Sequence, residues 1–230
     1  MNKLLHKLLY RTLPLGGYLR VVSAMFFLLH RLGIGRYAPA TEYTFHLDKL
    51  MHRGDLAIDI GANLGYYARL MSRIAGRNGH VYAVEPVAPI RRVLERNLSG
   101  CGNAEILPFA LGAEEGEIRM GNATVRAGGY FGTGQNFVME AGDEADVEFT
   151  AQMRRGSELF GHLTRMTSSN ATSKVTKRSS WRRCGRCWNG SAPRCSSRRA
   201  ARTAIVSWRS SPRSTTPPTP FSVEWRYRST

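Results

Sequence analysis

Residues 167–230 contain a single acid, Glu224, against 14 of the chain's 33 Lys and Arg, so this stretch carries +13. Residues 1–166 hold the other 19 basic and 16 acidic residues and carry only +3. A pI near 10.5 would ordinarily point to a nucleic acid partner. Here nearly all of the excess sits in a segment that also lacks apolar periodicity. Runs such as Ser196-Ser197-Arg198-Arg199 and Thr215-Thr216-Pro217-Pro218 cannot bury enough apolar surface to offset chain entropy, which predicts a disordered low-complexity tail. Cysteine is scarce as well: of four, three lie in the tail. Cys184 and Cys187 form a CxxC, yet no second CxxC exists and no histidine follows His162. A closed four-ligand zinc site is therefore not expected, and without a secretory signal neither are disulfides. Long apolar runs are missing. The most apolar stretch, Val21 to Leu29, is bounded by Arg20 and His30-Arg31, far short of the roughly 20 residues that span a bilayer. No cleavage pattern follows it. No GxGxxG turn is present, which argues against a nicotinamide-dependent oxidoreductase.

What is present is a pair of acids at the ends of two strand-like runs. Leu56-Ala57-Ile58-Asp59-Ile60 leads into Gly61-Ala62-Asn63-Leu64-Gly65, and Val81-Tyr82-Ala83-Val84 leads into Glu85. An apolar run that breaks at glycine reads as a buried strand feeding a tight turn, with the next helix over Tyr66 to Ile74. Gly61 and Gly65 open backbone conformations closed to other residues, and Asn63 tolerates left-handed geometry better than most. Glu85 stands about where an acid ending the second strand can accept both hydroxyls of a ribose. A carboxylate at Asp59 would repel a pyrophosphate but can meet a cationic ligand, which favours S-adenosyl-L-methionine over NAD.

From about Glu42 to Gly116 the chain resembles the FkbM family of class I methyltransferases. The resemblance rests on Gly54 to Leu70 (GDLAIDIGANLGYYARL), Gly79 to Pro86 (GHVYAVEP), the helix end Leu94 to Asn97, and the Ala-Leu-Gly at 110–112. It implies an α/β, Rossmann-like fold on a parallel sheet, with S-adenosyl-L-methionine as cofactor. Asp59, Gly61 and Asn63, with Gly65 completing the turn, would line its methionine end, and Glu85 would hold the ribose. It also implies methyl transfer, most often to oxygen, with a small-molecule, sugar or lipid hydroxyl as acceptor. No general base can be named. His46, His52 and His80 are considered only because histidine titrates near neutrality, and Arg119 and Arg126 as contacts for an anionic substrate.

The resemblance also accounts for the tail. Where this chain reads Met166 to Lys177, the family has a strand and turn of the type DFIKxDIEGxE. One permitted set of codons for Met166 to Lys177, read from the third base of the first codon, spells DFIKCDIEGYE. We therefore expect a frameshifted product, native to about Arg165, whose altered C-terminus leaves the fold incomplete and exposes a long apolar edge. The competing reading is a nucleic-acid-binding protein that uses the Arg- and Trp-rich tail.

The expected organisation is an N-terminal helical segment over 1–45, a cofactor domain over 46–166, and the tail over 167–230. Leu4, Leu5, Leu8 and Leu9, with Lys3, Lys7 and Arg11 alongside, suit an amphipathic helix ended near Pro14, and a second helix is predicted over Tyr18 to Leu32. These helices are expected to pack on the cofactor domain, with contact to a membrane surface through residues 1–32 as the alternative. The expected location is cytoplasmic. A helix is predicted over Phe45 to Met51 and again over Ile90 to Leu98. Strands are predicted over His80 to Glu85, Ala104 to Phe109, Ile118 to Met120, Phe137 to Glu140 and Val147 to Thr150, with a parallel sheet formed by the first of them.

Overall fold

Leu56–Ile60 is apolar on both faces except at Asp59, the pattern of a strand buried between layers. It forms β1 (Leu56–Ile60) at the heart of a parallel sheet. The computed structural model describes residues 3–38, 41–160, 163, 168–171 and 204–207. After β1 the chain runs through α3 (Tyr66–Ala75), β2 (His80–Val84), α4 (Ala88–Leu98) and β3 (Ala104–Leu107). β2 pairs parallel with β1 and β3 parallel with β2, as the strand and helix alternation requires. α3 buries Ala68, Met71 and Ala75 against Ala57, Val81 and Ala83 of the sheet.

The sheet does not stop at β1. β8 (Ser168–Ala171) pairs parallel along its other edge, with Asp59 opposite Asn170, and β9 (Ala204–Ser207) pairs antiparallel with β8. The order is β3-β2-β1-β8-β9. Both β8 and β9 lie in the segment expected to be a disordered tail, and β8 pairs along an edge of the sheet where an exposed apolar edge was expected. An edge of unpaired backbone groups accepts any extended segment, whatever its side chains. The rest of residues 167–230, including Cys184, Cys187, Cys195 and the tail tryptophans, lies outside the described residues.

A second, four-stranded sheet has the order β4-β7-β5-β6. Its strands are β4 (Phe109–Gly112), β5 (Gly116–Asn122), β6 (Asn136–Val138) and β7 (Val147–Arg155), with the short helices α5 (Thr124–Gly128) and α6 (Gly156–Phe160) after β5 and β7. The predicted strand over Ala104 to Phe109 is thus two strands in two sheets. Pro108 divides them, since proline has no N–H to continue a ladder. The predicted helix over Phe45 to Met51 is instead two short 3-10 turns, Glu42–Phe45 and Leu47–Lys49, too brief to nucleate an α-helix.

The N-terminal helices are α1 (Lys3–Thr12) and α2 (Leu15–Arg31). α2 is part of the body: Tyr18, Leu19 and Val22 pack with Val87, Ile90 and Val93 near α4 and with Met120 and Ala151 of the second sheet. Asn97 Nδ2 donates to Ser23 Oγ at 2.6 Å, and Phe26 stacks on Tyr66 with ring centroids 3.8 Å apart. α1 is attached more lightly, with Leu4 73% and Leu8 59% exposed. Among the described residues no helix is long and apolar enough to cross a membrane.

Candidate functional site

In an open parallel sheet the crevice beyond the carboxyl ends of the strands is where ligands bind, and the two acids meet there. The register places Asp59 beside Ala83. Because side chains alternate along a strand, Glu85 then projects on the same side of the sheet as Asp59, with the two Cα atoms roughly 8 Å apart. Asp59 is 1% and Glu85 5% exposed. Between them runs the turn. Its direction is set by three left-handed residues, Gly61 (φ 75), Asn63 (φ 53) and Gly65 (φ 86). The amides of Gly61 and Ala62 both donate to Val84 O at 2.9 Å, pinning the turn to the end of β2. At Gly65 a Cβ would meet Leu94 Cδ1 at 2.7 Å, so glycine lets α3 begin directly against α4.

Glu85 ties these pieces together. Its Oε2 accepts the amide of Asn63 and its Oε1 the amide of Val87, each at 2.9 Å. Val87 is the N-cap of α4, so the carboxylate also sits at the positive end of a helix. Burial nevertheless pushes its pKa up to about 7, against the pull of the two amides and of Arg91. Each oxygen has given up one acceptor site and keeps another.

A loop the sequence did not single out reaches over the turn. Phe131 is fully buried beside Tyr18 and Leu64, and a knot centred on Asn122 holds the segment around it. Asn122 Nδ2 donates to Gly132 O and Asn136 Oδ1, at 2.9 and 2.8 Å. Thr124 donates to Asn122 Oδ1 and accepts the amide of Gly132. Thr133 is thereby set to accept from Asn63 Nδ2 at 3.2 Å. Asn63 Oδ1, shielded from solvent, has no hydrogen-bond donor among the described residues. The only signal in the sequence was the cluster of glycines around Gly128 and Gly132, which reads as a loop without saying where it folds.

Other residues considered from sequence fall elsewhere. Tyr66, the first residue of the predicted helix, is packed against Phe26 and Phe27, and burial drives its pKa upward. His80 begins β2, at the opposite end of that strand from Glu85, and faces Glu105 at 3.6 Å. His52 donates its amide to Asp55 and is largely exposed. His46 lies between the two 3-10 turns. Arg119 and Arg126 pair with Glu148 and Asp146 at the surface. Among the described residues no group of three His, Cys, Asp or Glu is placed to hold a metal ion.

No family model matches this chain. A stretch of 49 residues is 41% identical to a protein-L-isoaspartate O-methyltransferase of Methanosarcina mazei, covering 21% of this chain and 20% of that one. The chain thus spans about a fifth of the length of the curated relative it matches. Among solved structures it is similar to a protein-L-isoaspartate O-methyltransferase at 30% identity, over 28% of this chain and 21% of that one, with a TM-score of 0.26. It is also similar to Aeropyrum pernix fibrillarin in complex with natively bound S-adenosyl-L-methionine, at 24% identity over 30% and 32% of the two chains, with a TM-score of 0.27. Each of these matches covers a small part of both chains.

Proposed function

We propose that this chain carries the cofactor half of a class I S-adenosyl-L-methionine-dependent methyltransferase, with FkbM as the finer family assignment. The observation that carries the reading is the buried Glu85 carboxylate, which takes an amide from the turn after β1 while Asp59 lies on the same side of the sheet. The short sequence match to a methyltransferase adds to it.

The residues present fit the cofactor. Glu85 keeps acceptor capacity for a ribose diol, Asn63 Oδ1 offers a shielded acceptor, and Asp59 supplies negative charge in a place with little water to screen it. When bound, the cofactor supplies a methyl group made electrophilic by its sulfonium. Glu85 orients the ribose, the Gly61–Gly65 turn lets the backbone come close, and Asp59 holds the cationic methionine end. The Thr133 loop excludes water from above. Catalysis would then rest on orientation and water exclusion, with a hydroxyl of a small molecule, sugar or lipid as the methyl acceptor.

The frameshift belongs to the same proposal. β8 occupies the place along the chain where the resemblance puts DFIK, but Ser-Ser-Asn-Ala there has little of the β-branched or aromatic character that strands favour. Resequencing the gene and expressing the restored frame decide the matter. The restored chain, given cofactor with a labelled methyl and cell fractions, is expected to label an acceptor, and Asp59→Ala is expected to abolish the labelling. Labelling that survives Asp59→Ala, or an intact single frame whose codons do not encode DFIK in the shifted register, contradicts the respective half of the proposal.

A further inference from the structure

At the amino end of the first sheet, opposite the acids, a groove of about 760 Å³ opens between the last turns of α3 and α4 and the loop that enters β3. Arg69, Arg73, Arg77 and Arg96 line it, and no Asp or Glu does. Arg53 lies against Gly76 at its margin. None of the four lining arginines forms an ion pair among the described residues. Arg69 rests its guanidinium over the Phe27 ring, 4.7 Å from the centroid.

Arginine at a helix C-terminus is commonly explained by the helix dipole. That explanation falls short here. Each helix end carries roughly half a negative charge, so the ends of α3 and α4 offset about one of the four positive charges. Several of the carbonyls there are already paired. Asn103 Nδ2 donates to Ser72 O and Gly76 O, at 3.0 and 2.8 Å. Gly54 N donates to Ala75 O and Cys101 N to Leu98 O, each at 2.8 Å. A surplus of about three positive charges remains around one concavity, and Arg69 and Arg73 repel each other one helical turn apart.

The geometry points to a binding site for a phosphoryl-bearing ligand of two or more negative charges. A single carboxylate would match only one guanidinium, whereas a phosphoryl oxyanion accepts paired N–H donors from several arginine forks at once. The groove exceeds the size of one phosphate, leaving room for a di- or triphosphate or a phospholipid headgroup. The site is separate from the proposed cofactor position and stands whether or not that reading holds.

The test uses the full chain, because the basic residues of 167–230 could bind polyanions on their own. Tripolyphosphate is titrated calorimetrically into the wild type, into Arg77→Gln, into the triple variant Arg73→Gln/Arg77→Gln/Arg96→Gln, and into Arg20→Gln as a control outside the groove lining. Thermal melts check that each variant folds. The expected result is a loss of affinity of about tenfold or more in the triple variant, a smaller loss in Arg77→Gln and none in Arg20→Gln. A parallel arm measures co-sedimentation with phosphatidylcholine vesicles with and without phosphatidylglycerol. Binding in that arm alone, lost in the triple variant, identifies a lipid headgroup as the source; groove-dependent binding of tripolyphosphate identifies a soluble one. Equal affinity of wild type and triple variant for both probes, or no binding of either, overturns the proposal.

Discussion

At the carboxyl ends of β1 and β2 two acids are buried and one of them, Glu85, is locked to two backbone amides, whereas at the amino ends of the same strands four arginines stand around a groove with no acid in its lining. Part of this polarity comes with the fold. α3 and α4 run opposite to the strands, so their positive ends point toward Asp59 and Glu85 and their negative ends toward the arginines. The contrast lies in how each end is satisfied. The acidic end is closed by Phe131, Asn122 and Thr133 from a loop remote in sequence. At the basic end Asn103 and backbone amides already cap several of the helix carbonyls, and the four arginines outnumber what two helix ends offset. Charge that the fold needs and charge in excess of that need can be told apart by asking which backbone groups are already paired.

The largest perturbation expected at the acidic end is Phe131→Ala. Phe131 is fully buried between α2 and the second sheet, so its truncation should destabilise the fold by about 3–5 kcal/mol in chemical denaturation. It should leave anion binding at the groove unchanged in whatever fraction remains folded. Loss of both together would mean that the two ends are not independent.

Next in size is a pH effect confined to the acidic end. Glu85 is raised from 4.5 to about 7 by burial. A carboxyl raised in this way adds stability that is fully present below about pH 4.5 and is lost as pH climbs through about 7. Ligand binding should go the other way. Ribose hydroxyls donate to the ionised carboxylate, so cofactor affinity should rise about tenfold per pH unit up to about 7 and then level off. Calorimetry in buffers of different ionisation enthalpy should register one proton released below pH 7. Glu85→Gln should remove the slope; a slope that persists would assign it to another group.

Asn63 offers a smaller effect. Asn63→Ala puts a side chain without local hydrogen bonding at φ 53 and removes the bond to Thr133, for a combined cost of about 2 kcal/mol. Asn63→Gly keeps the backbone geometry and loses only the bond, so it should cost less. The reverse order in thermal melts would show that the turn is not held by its left-handed residues. Smallest of all, Arg119→Ala breaks a surface pair with Glu148 in which both partners are about half exposed or more. It should shift stability by under about 1 kcal/mol.

How far this was legible in the sequence follows from the range of the forces involved. β1, α3, β2 and α4 are written in local signals, an apolar run broken by glycine and then helical spacing, and they fall where those signals put them. Asp59 and Glu85 could be placed at the ends of two neighbouring strands from local signals, whereas their standing on one side of the sheet follows from the register that the structure shows. Pro108 is a local signal too, and it separates β3 from β4 within the predicted strand. β7 runs on to Arg155, beyond the predicted Thr150, because β4 and β5 pair along it on both sides, a non-local effect. The Asn122 knot and the seat of Phe131 likewise depend on contacts between distant segments, which no window of sequence contains. The arginine groove was hidden for another reason. Arg69, Arg73, Arg77 and Arg96 are unremarkable one by one, and only the meeting of two helix ends and a loop makes them a group.

The central claim is that a sulfonium nucleoside is held between Asp59 and Glu85. Its most direct test is calorimetric titration of S-adenosyl-L-methionine into the wild-type chain and into Asp59→Ala and Glu85→Ala, each checked for folding. Micromolar binding by the wild type, abolished in both variants, is the predicted result. A wild-type chain indifferent to the cofactor, or variants that bind it as tightly as the wild type, would contradict the claim.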